Sequence, residues 1–419
     1  MSTPVLRLGI LGATNVVQST YLPILSSLTT YFTLTTIYHT DRDLAAHCQK
    51  QFNIPHSTTS PDDLIHHPEV ELVLNLLPFD CHEQYTLATL EAGKHVMVDV
   101  PLALNIRSLR RIRDARKKGA ATHSTTPKVF VGCPRRYAPC FTDVFKKELA
   151  SLGRIYYARC RNITGPTLSP ANTDLARRDP SNGLNVPTTS LRAFLADTFG
   201  ADEDMSADRA AFCHFLGTMG CHDLSLMRES LGHPDAVSNI SIMEPFFAAM
   251  FHYTDGSPDN GHPFTLVYEA GIDAVPRCDA HLTIYAERKS LSVQYDFPSP
   301  GLAGGPEPTV RVVIEEPEPQ PAGLAVGVDV TENGHGVANG SGKSTARACV
   351  QRREFVSTAT EAYAQEFRAM HAYLVGGETD AGTNEAKTTT DDVLDDLKLL
   401  HMIFEHYDRQ CGTIRTPLG

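Results

Sequence analysis

A single glycine between a short apolar strand and a helix constrains the fold of this chain more than any other feature. The stretch from Val5 to Val17 reads VLRLGILGATNVV, and its apolar half ends at Gly12. A strand that turns tightly at a glycine into a helix is typical of a dinucleotide-binding unit, because a pyrophosphate must approach the backbone and the free N–H groups of the helix. Of the G-x-G-x-x-G glycines only the first is present. Two interpretations of this turn therefore remain: a nucleotide-binding turn, or an ordinary βα turn of another α/β domain.

Short apolar strands alternate with helices through the first third of the chain. Such alternation predicts βαβ units and a doubly wound parallel sheet, so we expect a Rossmann domain over residues 1–133. The predicted strands are 5–11, 32–39, 70–77, 95–98 and 129–131, and the predicted helices are 18–27, 41–52, 83–92 and 106–118.

The remainder, residues 134–419, predicts a C-terminal α/β domain. Residues 166–210 are rich in Pro, Asn, Asp and Ser around one predicted helix at 190–198, which suggests a lid-like insertion or a mobile surface loop. Residues 298–347 are rich in Pro and Gly and predict flexible loops. Strands are predicted at 264–268, 280–286, 291–295 and 309–314, and helices at 358–374 and 391–409.

Composition excludes several classes of protein. With 42% hydrophobic and 21% charged residues the chain can bury a large core, and its net charge of −12 argues against nucleic acid or an anionic membrane as partner. No apolar run approaches the roughly 20 residues of a membrane span. The first predicted strand begins at Val5, which leaves no room for a signal peptide before it. The ten cysteines include no C-x-x-C pair. We therefore expect a cytoplasmic protein with reduced thiols.

The end of the second strand bears on the choice between NAD and NADP. An acid there binds the ribose 2′-hydroxyl, whereas small or basic residues accept a 2′-phosphate. Asp41 is the ribose acid only if the strand runs two residues longer than the pattern indicates; otherwise it caps the next helix. With His39, Thr40 and Arg42 beside it, the sequence slightly favours NADP.

Five segments of the chain together resemble one known family. They are LGILGA, LNLLPFDCHEQYTLATLEAGKHVMVDVPLAL, FVGCPRRYAP, LGRIYYARC and GTMGCHDLSLMRESLG. In this order they resemble the glucose-fructose oxidoreductase / inositol dehydrogenase / MocA (Gfo/Idh/MocA) family, and residues 268–296 look like a fungal branch of it. The likeness runs from Val5 to about residue 405, and AGKHV followed by Pro101 and RRY is its most specific part.

The resemblance implies a Rossmann domain followed by an α/β domain with a large, open, mostly antiparallel sheet that carries the substrate site. It also implies NAD(P)-dependent oxidation of a hydroxyl, or the reverse reduction, on a small polyol-like or secondary-metabolite substrate. The cofactor-binding candidates on this resemblance are Gly12, Ala13, Thr14, Asn15, Val16, Leu77, Pro78, His82, Asp99 and Pro101.

Two family motifs are altered in this chain. The E-K-P motif reads Asp99, Val100, Pro101, so the lysine that polarises the reacting oxygen in the family is a valine. The D-x-G-x-H motif retains His222 but has Thr218 in place of its aspartate. Asp223 follows and offers a carboxylate, although adjacent residues of one element point in different directions. The catalytic candidates are His222, Asp223 and Asp99.

Arginines at the domain junction suggest a substrate site. Arg135 and Arg136 precede Tyr137 directly after the last Rossmann strand. They suit a carboxylate or phosphate of a substrate, and interdomain ion pairing is an equal alternative. With Thr218 and His222 they form the substrate-binding candidates.

A cluster of cysteine and histidine residues raises the question of a metal site. Cysteine and histidine cluster at 213–223, but their spacing matches no zinc pattern, so we expect no metal.

The function we expect is that of an NAD(P)-dependent oxidoreductase, and two alternatives remain open. One is a redox-neutral lyase, epimerase or cyclase on the same scaffold, and the other is a non-catalytic dinucleotide-binding regulator. Apolar strands near 282–284 and 291–293 predict an apolar face beyond what the chain's own helices cover, hence a homodimer or homotetramer.

Overall fold

The computed structural model describes residues 4–123, 126–165, 207–243, 245–254, 262–275, 277–296, 307–318, 350–376 and 387–414. The predicted loop regions 166–210 and 298–347 lie mostly outside the described residues, and the helix predicted at 190–198 lies wholly outside them.

A six-stranded parallel sheet forms the N-terminal domain, in the order β3-β2-β1-β4-β5-β6. Its central strands are buried on both faces, as expected of a sheet with helices on each side. The predicted doubly wound sheet is confirmed. The strands are β1 (Leu6–Leu11), β2 (Phe32–Tyr38), β3 (His56–Thr58), β4 (Leu72–Asn75), β5 (His95–Asp99) and β6 (Val129–Gly132).

The helices of this domain follow the predicted order. A π-helical turn, Val17–Tyr21, leads into the first of them. The short elements β3 and α3 were not predicted, because three and five residues are too few to show a period. The helices are α1 (Leu22–Ser27), α2 (Arg42–Gln51), α3 (Pro61–Ile65), α4 (His82–Glu91) and α5 (Ile106–Thr122).

The C-terminal domain is built on an eight-stranded sheet, in the order β14-β13-β12-β11-β7-β10-β9-β8. Strands β7 and β10 pair in parallel and the other neighbours pair antiparallel, so the mostly antiparallel sheet is confirmed. The strands are β7 (Ile155–Thr164), β8 (Ala236–Met243), β9 (Phe246–Tyr253), β10 (Phe264–Ile272), β11 (Cys278–Ala286), β12 (Ser290–Tyr295), β13 (Thr309–Pro317) and β14 (Val350–Thr358).

Helices of the second half of the chain cover one face of this sheet and also reach the first domain. Tyr363, Phe367, Met370 and Leu374 of α9 are buried in one cluster with the apolar side chains of β1 and α1. Helix α9, far along the chain from the first domain, therefore completes the core of the Rossmann domain. The helices are α6 (Lys146–Ala150), α7 (Ala207–Phe215), α8 (Cys221–Leu231), α9 (Ala359–Val375) and α10 (Thr390–Ile414).

The apolar strands offered as evidence for assembly are covered within the single chain. Leu282, Ile284, Leu291 and Val293 are all 0% exposed, because they face the chain's own helices. They therefore provide no argument for a homodimer or homotetramer. No described helix is both long and apolar enough to cross a membrane.

Candidate functional site

The turn after β1 has the backbone that a nucleotide phosphate requires. Gly12 has φ +105°, and a Cβ on it would lie 2.8 Å from the carbonyl oxygen of Leu76 in the loop after β4. The amide groups of Ala13 and Thr14 have no acceptor among the described residues. This turn lies where the strand order reverses between β1 and β4, and its open amides fit a pyrophosphate.

The acidic residue at the end of β2, Asp41, is hydrogen-bonded to backbone amides. Asp41 Oδ1 accepts from the amides of Asp43 (2.8 Å) and Leu44 (3.2 Å) and caps α2. Thr40 and Arg42 are exposed beside it, whereas His39 is buried and its Nδ1 accepts from the Asp41 amide. Of the two predicted roles for Asp41, the geometry gives the helix cap.

His82, predicted to bind the cofactor, is 2% exposed and bridges two loops at the same edge. Its Nδ1 lies 2.7 Å from the carbonyl oxygen of Pro101, and its Nε2 lies 2.7 Å from that of Leu77. Burial lowers the pKa of His82, against the two carbonyls and the charge of Asp80, which raise it. Both ring nitrogens are therefore occupied by the protein itself.

Asp99 ends β5 in a cluster of protonatable groups. Burial raises its pKa to about 7, although the Val100 amide, which donates to Oδ1 (3.0 Å), and the Tyr21 hydroxyl act to lower it. Glu366 of α9 lies close by, fully buried, and burial raises its pKa well above the usual range. One Glu366 oxygen accepts from the Cys133 amide and the other has no partner among the described residues.

The altered motif lies on one continuous helix, in which a π-helical segment, Leu216–Gly220, joins α7 to α8. Thr218 is exposed, and its hydroxyl donates to the carbonyl of His214 (2.8 Å). His222 follows one turn later, half-buried, and its imidazole has no hydrogen-bond partner in the described part of the chain. Burial and the charge of Arg135 lower the pKa of His222 to about 3.

Asp223 points away from His222 and into the sheet, where it is 0% exposed. Its carboxylate accepts from Arg135 Nη1 (2.8 Å), Asn162 Nδ2 (2.8 Å), Tyr295 (2.6 Å) and Tyr268 (3.3 Å). Burial raises the pKa of Asp223, while these donors act to lower it. A carboxylate with four donors anchors the start of α8 and has little capacity left for a substrate.

The two adjacent arginines differ in how many donors they have left. Every N–H of Arg136 is used, because its guanidinium binds Glu229, Ser225, Asp392 and the Lys387 carbonyl. It is 2% exposed, so the geometry favours ion pairing within the protein over substrate binding for Arg136, although its partners all lie within residues 134–419 rather than in the first domain.

Arg135 has one bond, to Asp223, and stacks 3.9 Å above the Tyr295 ring. Tyr137 is buried, with its hydroxyl against Thr388 (2.8 Å).

Sequence reasoning missed the groups that hold Asp223 and Asp99. Asn162, Tyr268 and Tyr295 come from β7, β10 and β12, and the sheet alone brings them together. The sequence offered one indication of them. Tyr268 and Tyr295 lie at inward positions of strands with alternating polarity, and a buried tyrosine needs a polar partner for its hydroxyl.

Cys213 and Cys221, from the cluster for which no metal is expected, are both buried. In the described part, one group with ligand atoms within 4.8 Å, His56, His67 and Glu69, lies near the amino ends of β3 and β4, far from this site.

Comparison with known proteins agrees with this geometry in the N-terminal domain. Residues 6–125 match the Gfo/Idh/MocA family model, described as an oxidoreductase family with an NAD-binding Rossmann fold. An uncharacterized oxidoreductase, ORF334, of Rhizobium meliloti is 32% identical over 112 residues, 27% of this chain and 33% of that protein. Inositol 2-dehydrogenase 2 of Saccharopolyspora erythraea is 32% identical over 97 residues, 23% of this chain and 26% of that protein. These matches thus span about a third or less of the curated relatives.

Solved structures extend the likeness in fold to the whole chain. Levoglucosan dehydrogenase in complex with NADH and levoglucosan has a TM-score of 0.61 at 15% identity, covering 97% of this chain and 98% of its own. A variant of KijD10, a 3-ketoreductase from Actinomadura kijaniata in complex with TDP-benzene and NADP, has a TM-score of 0.59 at 14% identity, covering 95% and 96%. Residues 6–125 are therefore similar to the NAD-binding Rossmann domain of the Gfo/Idh/MocA oxidoreductases, and the chain as a whole has the two-domain fold seen in those structures.

Proposed function

We propose that this protein is an NAD(P)-dependent oxidoreductase that interconverts a hydroxyl and a carbonyl on a small molecule. The observation that carries the proposal is the imidazole of His222, which is half-buried and without a partner among the described residues. The preceding residue, Cys221, lines one cavity with Val100 and Pro101 of the loop after β5. An unengaged histidine thus lies close to the carboxyl edge of the Rossmann sheet, where nucleotides bind in this fold.

Each residue of the site has a separate part in this reaction. A bound dinucleotide supplies a nicotinamide ring that accepts or donates hydride. The open amides of Ala13 and Thr14 bind its pyrophosphate. The neutral ring of His222 takes the proton of the substrate hydroxyl, or returns it in the reverse direction. Asp99, with a pKa of about 7, exchanges protons near neutral pH at the end of β5.

The cofactor we propose is NADP in preference to NAD. Asp41 uses its Oδ1 to cap α2, which favours the helix cap over the role of ribose acid at the end of β2. Arg42 is exposed at that point and suits a 2′-phosphate.

Absorbance at 340 nm tests the reaction. The purified protein is incubated with NADP or NAD and a panel of polyols, hydroxy acids and sugars. We expect nicotinamide reduction that is lost in His222→Asn and in Gly12→Val. Substrate consumption without a change at 340 nm would instead support redox-neutral chemistry, and nucleotide binding without any turnover would support a regulator.

A further inference from the structure

Arg135 and its neighbour Arg136 differ in how many of their guanidinium N–H donors are hydrogen-bonded within the protein. Arg136 uses all five N–H donors within the protein. Arg135 uses Nη1 toward Asp223 Oδ1 (2.8 Å), and its Nε and Nη2 groups have no partner among the described residues. Its side chain is 11% exposed, compared with 3% for that of Arg136. The two arginines therefore have different roles although they are adjacent in the chain.

The guanidinium of Arg135 is held in one orientation. Its carbon lies 3.9 Å above the centre of the Tyr295 ring, and the hydroxyl of the same tyrosine donates to Asp223 (2.6 Å). Asp223 receives two further donors, Asn162 and Tyr268, and is itself fixed. A planar fork held on one side by a carboxylate and on one face by a ring presents its remaining edge as a rigid donor pair.

Arg135 is bonded to Asp223, the residue that directly follows His222 in α8, so the two side chains belong to the same region of the junction. The charge of Arg135 contributes to lowering the pKa of His222, and the imidazole has no partner among the described residues. A substrate that reaches both side chains places an acceptor on the guanidinium and a hydroxyl on the imidazole. The acceptor that matches a planar donor pair is a carboxylate.

On the basis of the proposed function, we propose that Arg135 binds a carboxylate of the substrate, so that the substrates are hydroxy acids and the corresponding oxo acids. The hydroxyl carbon lies next to the carboxylate. The O–H bond of the hydroxyl breaks and its proton passes to His222. The C–H bond of the same carbon breaks and its hydride passes to the oxidised nicotinamide. The C–O bond becomes C=O, and the two electrons lost by the substrate reduce the cofactor.

The charge already present favours a carboxylate over a phosphate. Asp223 lies 2.8 Å from the same guanidinium, and a dianion at the free edge meets about twice the repulsion that a monoanion meets. Binding of a carboxylate also offsets the charge of Arg135 that acts on His222. The imidazole is therefore a stronger base when the substrate is bound than when it is absent.

Calorimetry on the cofactor-free protein tests this independently of turnover. Glycolate and gluconate are each compared with a neutral counterpart, glycolamide and glucitol, and inorganic phosphate is the third probe. We expect the acids to bind and the neutral compounds to bind at least tenfold more weakly. Arg135→Gln abolishes the difference, whereas Arg159→Gln, at a half-buried ion pair with Glu269, retains it.

Several outcomes overturn the assignment. Equal binding of the acids and their neutral counterparts excludes a carboxylate site, as does unchanged binding in folded Arg135→Gln. Tighter binding of phosphate than of either acid would replace the carboxylate by a phosphate. Should Arg135→Gln not fold, Arg135→Lys keeps the charge but not the fork, and undiminished acid binding there would exclude a bidentate site. Acid binding without any nicotinamide turnover would refute the proposed function while leaving this inference standing.

Discussion

The Nδ1 atom of His82 lies 2.7 Å from the carbonyl oxygen of Pro101, across the gap between α4 and the loop after β5. Its other ring nitrogen meets the carbonyl of Leu77, next to the Leu76 carbonyl that the Gly12 turn approaches. The loops after β4 and β5 are thus joined by one side chain, close to the turn after β1. Burial lowers the pKa of His82 and so favours the neutral ring, which has one N–H and donates to one of the two carbonyls at a time.

Replacing His82 by leucine should weaken both the fold and nucleotide binding. One buried carbonyl loses its donor, at a cost of about 1–3 kcal/mol. Urea unfolding measures the loss, and calorimetry measures the affinity for NADP. His371→Leu is the control, because His371 is equally buried and bonds one carbonyl, that of Pro4 (2.8 Å). That variant should lose stability without losing affinity; equal losses of affinity in both would contradict the role given to His82.

Gly12→Val should abolish most of the nucleotide affinity. A φ of +105° is strained for a β-branched residue, and the added carbon meets the Leu76 carbonyl oxygen. We expect the Kd for NADP to rise roughly ten- to hundredfold, because the branched side chain displaces the turn and occupies the space that the pyrophosphate needs. Gly153→Ala is the control, since a Cβ there would meet Glu287 at an ordinary 3.5 Å. An unchanged Kd in Gly12→Val would refute the phosphate turn.

Arg42→Gln should reduce the preference for NADP over NAD. An exposed arginine beside a 2′-phosphate contributes a charge-assisted hydrogen bond, worth about 1.4 kcal/mol or tenfold in Kd. Calorimetry with both nucleotides measures the ratio. Arg110→Gln, an exposed arginine of α5, should leave that ratio unchanged. Tenfold tighter binding of NAD by the unaltered protein would instead reject NADP as the cofactor.

His222→Asn should lower turnover by roughly 100-fold while keeping the fold and the nucleotide affinity, the usual effect of losing one positioned proton-transfer group. With a pKa of about 3 in the free protein, His222 is neutral from pH 5 to 9. The shape of the kcat/KM profile over that range should therefore not change in the variant. His401→Asn, at an exposed histidine of α10 that pairs with Glu405, is the control and should have a small effect. Full turnover in His222→Asn would remove the catalytic role.

Asp99→Asn should stabilise the protein at neutral and alkaline pH but not in acid. The folded pKa of about 7 lies above the ordinary value near 4 of an unfolded chain. Between about pH 4 and pH 7 the unfolded state releases a proton that the folded state retains, so stability falls as pH rises. Asparagine has no such titration. The free energy of unfolding, measured from pH 4 to 8, should diverge between the two proteins across that window; parallel curves would contradict the shifted pKa.

Local sequence determined the elements of the Rossmann half. Gly12, the buried apolar runs of β4 and β5, and the capped start of α2 at Asp41 are each set by residues within a few positions of one another. Periodicity and turn chemistry depend only on neighbours along the chain, so they can be read without the fold.

The tertiary structure alone decided which polar residues stay available. Arg135 and Arg136 are equivalent in the sequence, and His222 and Asp223 are adjacent, yet one member of each pair is engaged and the other has donors or ring atoms left. Their partners, such as Tyr295, Asn162 and Asp392, lie 60 or more residues away and arrive only when the sheet and α10 assemble. Hydrogen bonds over such separations depend on packing of the whole domain, which no local pattern encodes.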